Sequence, residues 1–344
     1  MLNFHKYVAQ PGNYCCNDGA CFTSELACDG IRHCQSGEDE VNCTMIDIPE
    51  YYDKMDPPEE VFANISIVDV MAIDEDDSSF DVYFHLSVKW YDRKLEFQFL
   101  KNNHFANNVE KYKNRIWSPK IRFAFLQKSF DDFEEKMFVE KSRPKPVDLQ
   151  LLNAAETYNG IDTPLFHFSE HSKRFLCEFN GISQYPFIKD TCSFYLYLDG
   201  SGNKLTTVKS SIEAPANKMI GQYTLSDWKI KSNVTYPRSM KNMVKISVSL
   251  TKDPFNIIMV TYLPSLLMNI INQAINYITG DSAYDLIITV NITSMVVLAT
   301  IYMSTSTSLP NTSNIKPVEV WLLFNLAYPI LVILANIVMK VKSN

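Results

Sequence analysis

The sequence predicts a multi-domain membrane protein: a small disulfide-rich module, an antiparallel β-sandwich extracellular domain and an α-helical transmembrane bundle with three helices present. Three observations carry that prediction. Six of the eight cysteines crowd between Cys15 and Cys43, a density that belongs to an oxidising, extracellular compartment. Segments of period-two alternation fill the middle of the chain, and three nearly uncharged segments of membrane length follow. The expected domains are 1–44, 45–252 and 253–344. A formal net charge of −7 argues against a nucleic-acid partner, which requires clustered Lys and Arg. The opening stretch MLNFHKYVAQPG lacks the apolar core of a secretory signal; a disulfide-rich extracellular chain must be exported, so Met1 is expected not to be the native start.

Residues 15–43 are too few to bury a useful core, so disulfides and commonly a metal must hold them. Six cysteines allow fifteen pairings. Asp29, Asp39 and Glu40 could converge as oxygen ligands for calcium. The stretch CDGIRHCQSGEDEVNC, Cys28 to Cys43, resembles an LDL-receptor class A module, with Cys21 at the preceding cysteine. The resemblance implies the pairs Cys15–Cys21, Cys16–Cys34 and Cys28–Cys43, and a docking role toward an extracellular protein or lipoprotein. His33 stands where that module has a calcium-binding Asp, and Ser36 replaces another, so calcium binding is expected to be weakened.

The acidic, Pro-containing residues 45–60 read as a linker. In FDVYFHLSVKW, Phe80, Val82, Phe84, Leu86, Val88 and Trp90 share one face, the mark of a half-buried strand. MVKISVSL repeats the pattern, and short strands at this spacing predict a sandwich from about 61 to 251. Cys177 and Cys192 enclose fourteen residues with a turn at Tyr185-Pro186. A bridge there would remove about 3 kcal/mol of chain entropy from the unfolded state. His167 and His171, four apart on a strand, would stand about 13 Å apart, too far to share one ion.

Several of these strings resemble the Cys-loop receptors, the pentameric ligand-gated ion channels. WYDRKL (Trp90 to Leu95) is similar to the family's W-x-D-x-R-L, IWSPK (Ile116 to Lys120) to its I-W-x-P-D, and YPFIKDTC to F-P-F-D-x-Q-x-C. Lys94, Lys120 and Ile188 depart from those patterns, and the loop is one residue longer. The resemblance implies the Cys177–Cys192 bridge and a small extracellular agonist bound among aromatic side chains; only Trp90, Phe123 and Tyr236 are candidates. A cation–π cage needs several converging rings, so the agonist is not readable.

The membrane segments are 256–279, 284–306 and 317–341, each long enough to cross about 30 Å of hydrocarbon. TYLPSLL in the first resembles the family's T-Y-x-P-S-x-L, with Lys252 at the place of the Arg that precedes this helix. In the second, Thr289, Thr293, Val296, Thr300 and Met303 fall on one helical face. Hydroxyls there would line a wet pore, or bond back to the preceding turn. NITSMVVL resembles the family's pore helix. Asp281 and Asp285 would form acidic rings that lean the pore toward cations. The disulfides place the first two domains outside the plasma membrane; Lys340 and Lys342 then lie inside. Asn64, Asn233 and Asn311 are outward-facing glycosylation sequons. The family has a fourth membrane helix, which the chain is expected to lack by truncation. No nucleophile elbow, phosphate loop or HExxH motif speaks for an enzyme. The expected function is a subunit of a homo- or hetero-pentameric channel. The other reading is a non-conducting receptor or decoy subunit that binds a partner through the first module.

Overall fold

The computed structural model describes residues 13–132, 135–145, 156–199, 207–215, 217–236, 239–279, 284–309 and 315–343. The hairpin of Glu60–Asp74 and Ser79–Tyr91 is the spine of the sandwich. On one side Pro164–Leu176 pairs antiparallel with Ser79–Tyr91 and carries Leu126–Asp132 and Lys136–Val139 on its far edge. On the other side Thr207–Glu213 runs parallel to Glu60–Asp74, which the expectation of an all-antiparallel domain did not include. The second sheet orders Lys218–Ile220, Tyr223–Tyr236, Ser239–Lys252, Lys189–Asp199 and Lys120–Ala124, all antiparallel.

Alternation decides what lies between the sheets. The even positions from Val82 to Trp90 are almost wholly buried, because successive side chains of a strand point to opposite faces. Phe175 from one sheet stacks on Phe194 from the other at 4.4 Å between centroids. The Cys177–Cys192 disulfide leaves the end of Pro164–Leu176 and enters Lys189–Asp199, so it joins the two sheets covalently.

Residues 45–60 are stitched down rather than free. Ile46–Asp47 pairs with Glu96–Gln98, and Lys94 Nζ meets Asp56 at 2.5 Å. Tyr52 donates its hydroxyl to Asp92 at 2.6 Å and accepts Trp117 N–H at 2.9 Å. Charge and proline drew the linker reading; a single aromatic anchor with two buried partners overrides them.

The first module is closed by Cys15–Cys21, Cys16–Cys34 and Cys28–Cys43. Its small core of Tyr14, Cys16, Ala27 and Cys34 takes in Phe99 from the sandwich. Ser24 donates to Glu156 at 3.1 Å, and Lys141 lies between Glu25 at 3.7 Å and Glu156 at 3.9 Å. The module therefore sits on the sandwich.

Among the described residues, three helices are long and apolar enough to cross a membrane: Phe255–Ile278, Tyr284–Thr307 and Pro317–Met339. The first contains a π-helical turn at Ile258–Tyr262, just before Pro264. Proline has no N–H to give the preceding turn.

Candidate functional site

The base of the sandwich meets the first membrane helix around one lysine. Lys252 ends Ser239–Lys252, three residues before the helical turn at Phe255. Its side chain is only 6% exposed and is paired with Glu75, itself 14% exposed. Glu75 is placed by the tip of the long hairpin, where Asp74 Oδ1 accepts the N–H groups of Asp76 and Asp77 at 3.0 Å each. Tyr223 donates its hydroxyl to the same Glu75 oxygen at 2.6 Å. The Lys252 ammonium also lies 4.5 Å from the Tyr185 ring centroid and 5.4 Å from that of Tyr223. Burial pushes the Tyr185 hydroxyl up to about 12, with the Glu75 charge adding to it. Tyr223 is raised by burial and then by its bond to Glu75.

The disulfide loop closes this knot from the side. Ile188 is fully buried, and its carbonyl accepts Lys252 N–H at 3.0 Å. Asp190 accepts Gly181 N–H at 2.8 Å. Its pKa is raised, chiefly by burial, with Glu75 contributing. A Cβ on Gly181 would stand 2.9 Å from Asp190 Oδ2 and 3.1 Å from the Lys189 carbonyl, so any larger residue would have to displace the Asp190 carboxylate. Three segments distant in sequence thus share one buried charge pair directly above the first helix.

On the second membrane helix, Ile287, Asn291, Ser294, Leu298 and Thr305 are buried against neighbouring helices. Thr289, Thr293, Val296, Thr300 and Met303 lie exposed on the other side. At 3.6 residues per turn the two sets point in nearly opposite directions. The hydroxyls bond back to their own helix: Thr289 to the Asp285 carbonyl at 2.7 Å, Thr293 to that of Val290 at 2.9 Å, Thr300 to that of Val297 at 2.7 Å. Each threonine proton is thereby used, and oxygen lone pairs face outward. Asp285 is exposed in the first turn, and Asp281 lies outside the described residues.

Trp90 and Phe123 each pack among other aromatic side chains of the sandwich. Trp90 is fully buried and packs edge-on to Trp117 at 5.5 Å, which corrects its reading as a ligand contact; its even position in the alternation points it inward. Phe123 is half-buried among Phe84, His171 and Phe175. Tyr236 belongs to a strand, but its side chain lies outside the described residues. The odd positions of the same strand carry an outward cluster that sequence reasoning passed over. Tyr83 donates to Glu170 at 3.1 Å, His85 Nε2 lies 3.2 Å from the Tyr83 hydroxyl, and the Phe168 ring is 5.4 Å from that of His85. The alternation was the signal that could have found it.

In the first module the candidate calcium ligands are engaged otherwise. Both Glu40 oxygens accept backbone N–H groups, from Asp29 and Gly30 at 3.0 Å. Asp29 Oδ1 accepts Ile31 N–H at 2.8 Å. Asp39 Oδ2 accepts His33 N–H at 2.6 Å, leaving only the buried Oδ1 without a partner. The His33 Nδ1 atom stands 3.6 Å from Asp39 and 3.8 Å from Asp29. Calcium takes six to eight oxygens, and here two acidic positions are His33 and Ser36. The acidic set is two positions short of the module's pattern, which agrees with a site weakened for calcium, and the buried Asp39 Oδ1 is the oxygen an ion would satisfy.

Of the sequons, Asn64 is half-buried and accepts Ser211 Oγ at 2.9 Å. The Asn233 side chain and all of Asn311 lie outside the described residues. Reading the membrane segments for charge alone missed their buried amides. Ser294 donates to Asn272 at 2.6 Å, Asn269 pairs with Asn325, and Trp321 Nε1 donates to Ser265 at 2.9 Å. These bonds tie the first helix to the second and third.

Residues 45–143 match the family model for the neurotransmitter-gated ion-channel ligand binding domain. Over 269 residues the chain is 22% identical to the human gamma-aminobutyric acid receptor subunit rho-3, covering 77% of this chain and 54% of that subunit. The chain thus spans about half the length of this relative. Both similarities support a relationship to the Cys-loop receptors, a family of ligand-gated channels and not of enzymes.

Proposed function

We propose that the chain is a subunit of a pentameric, extracellularly ligand-gated ion channel in the plasma membrane, its pore lined by the second membrane helix. The observation that carries this reading is the turned-out face Thr289–Thr293–Val296–Thr300, opposite the face that packs against sibling helices. Five such faces would enclose a polar throat with an apolar constriction at Val296, where a pore can close by dewetting. Exposed Asp285 and outward lone pairs favour cations. The Lys252–Glu75 knot would pass a displacement of the sandwich to the first helix. The agonist is a small molecule held between subunits, and the outward Tyr83–His85–Phe168–Glu170 cluster is a better contact for it than Trp90. The first module would dock an extracellular protein, and Asn64, Asn233 and Asn311 would carry glycans.

The other reading, a non-conducting receptor, is favoured by the back-bonded hydroxyls, which a lipid-facing helix also tolerates. Single-cysteine variants along the second helix separate the two. A charged thiol reagent should modify positions 289, 293, 296 and 300 at least ten times faster than 290 and 299. Equal rates along both sets would remove the pore.

A further inference from the structure

A cleft of about 440 Å3 opens into the sandwich beside Lys120–Ala124 and reaches the inner face of Pro164–Leu176. That face is unusual. Where the neighbouring strand turns only apolar side chains inward from Val82 to Trp90, this one turns in His167, Ser169 and His171, all buried. Buried polar groups cost free energy unless they are paired. Ser169 Oγ and His171 Nε2 share a hydrogen bond at 2.9 Å. His167 is 4% exposed; its Nε2 is 3.6 Å from Glu135, beyond hydrogen-bond range. Its Nδ1 is buried with no partner. His167, with one buried imidazole nitrogen unpartnered, is thus among the side chains that line the cleft.

The walls and mouth limit what could satisfy it. Trp117, Met55, Pro119 and Ile121 give an apolar surface. Lys54, Lys113 and Lys120 stand around it against a single carboxylate among the described residues, Glu135, which Lys113 already pairs. Lys54 and Lys120 are exposed, with no ion-pair partner among the described residues. A cleft with one sign of charge at its rim concentrates ions of the other sign. A metal ion would meet that positive rim and, among the described residues, no cluster of three converging donors there. A cavity of this size holds a small molecule rather than a peptide.

We propose that this cleft is a binding site for a small organic carboxylate with an apolar or aromatic body, the anion held by Lys54 and Lys120, the body lying on Trp117 and a polar group reaching His167. The site lies between the two sheets of one subunit, on the other face of the wall from the Tyr83–His85 cluster. Its occupant would set the spacing of the sheets. The inference does not depend on the pore.

The test uses the full chain in detergent and three fluorinated probes of one shape: 4-fluorobenzoate, 4-fluorobenzyl alcohol and 4-fluorobenzylamine, followed by fluorine NMR. The benzoate should bind saturably, at least ten times more tightly than the amine. The Lys54→Gln/Lys120→Gln variant should weaken the benzoate at least tenfold and leave the alcohol unchanged. Both lysines are exposed, so an unchanged melting temperature confirms that the variant is folded. Trp117→Phe should weaken benzoate and alcohol together. Equal binding of benzoate and amine, an unaffected double lysine variant, or no saturable binding by any probe would each overturn the assignment.

Discussion

Replacing Glu75 with glutamine removes one charge and almost no volume, so it isolates the ion pair at the base of the sandwich. Glutamine keeps an oxygen for the Tyr223 hydroxyl, and what is left uncompensated is the Lys252 ammonium, 6% exposed. Breaking a buried pair by removing one partner costs about 3–5 kcal/mol. The 14% exposure of Glu75 argues for the lower end, about 3 kcal/mol. For a domain of this size each kcal/mol moves the melting temperature by about 2–4 °C, so a drop of about 6–12 °C is expected in detergent, followed through the tryptophans. Lys252→Met alone should cost a similar amount. The double variant leaves neither charge stranded and should lose far less than the sum, a coupling that a double-mutant cycle reads directly. A Glu75→Gln melting temperature within 2 °C of the parent, or additive single losses, would refute the reasoning.

Two further outcomes follow from other parts of the molecule. Burial holds the His167 pKa below its ordinary 6.5, so the folded state binds fewer protons than the unfolded chain. Its contribution to stability is full above about pH 6.5 and is lost as pH falls toward the depressed value; His167→Gln should flatten the melting profile between pH 7.5 and 5, and parallel profiles would contradict this. Removing divalent ions with EDTA should leave both the melting temperature and the amide-exchange protection of residues 28–43 unchanged, while His33→Asp/Ser36→Asp should gain a response to calcium. Loss of protection in the parent on chelation would show that the module needs the ion.

Much of the architecture was written in short-range patterns. Alternation from Phe80 to Trp90 specified a strand and its buried face, and the length of the apolar segments specified three helices. Those patterns carry no information on what lies opposite, which is why Trp90 was assigned to a ligand and Tyr83, His85 and Glu170 were passed over. The same strand already said that even positions turn inward. The parallel pairing of Thr207–Glu213 with Glu60–Asp74 joins residues far apart in sequence, and no local signal marks it. Tyr52 shows a different failure: composition called its segment a linker, while one aromatic residue found Asp92 and Trp117. In the helices, absence of formal charge hid Asn269, Asn272 and Asn325, whose side-chain amides hold the bundle through hydrogen bonds.

The seating of the first module on Phe99 has a mechanical consequence. Glu60–Asp74 is fifteen residues long, about 50 Å at the rise of a strand, with Glu75 just beyond one end and the Phe99 contact near the other. A weight or tether fastened to the head could not be absorbed by a slack neck, since residues 45–60 are pinned by Tyr52 and Asp56. Tension applied there would act on the hairpin whose tip carries Glu75, the partner of the lysine at the head of the first helix.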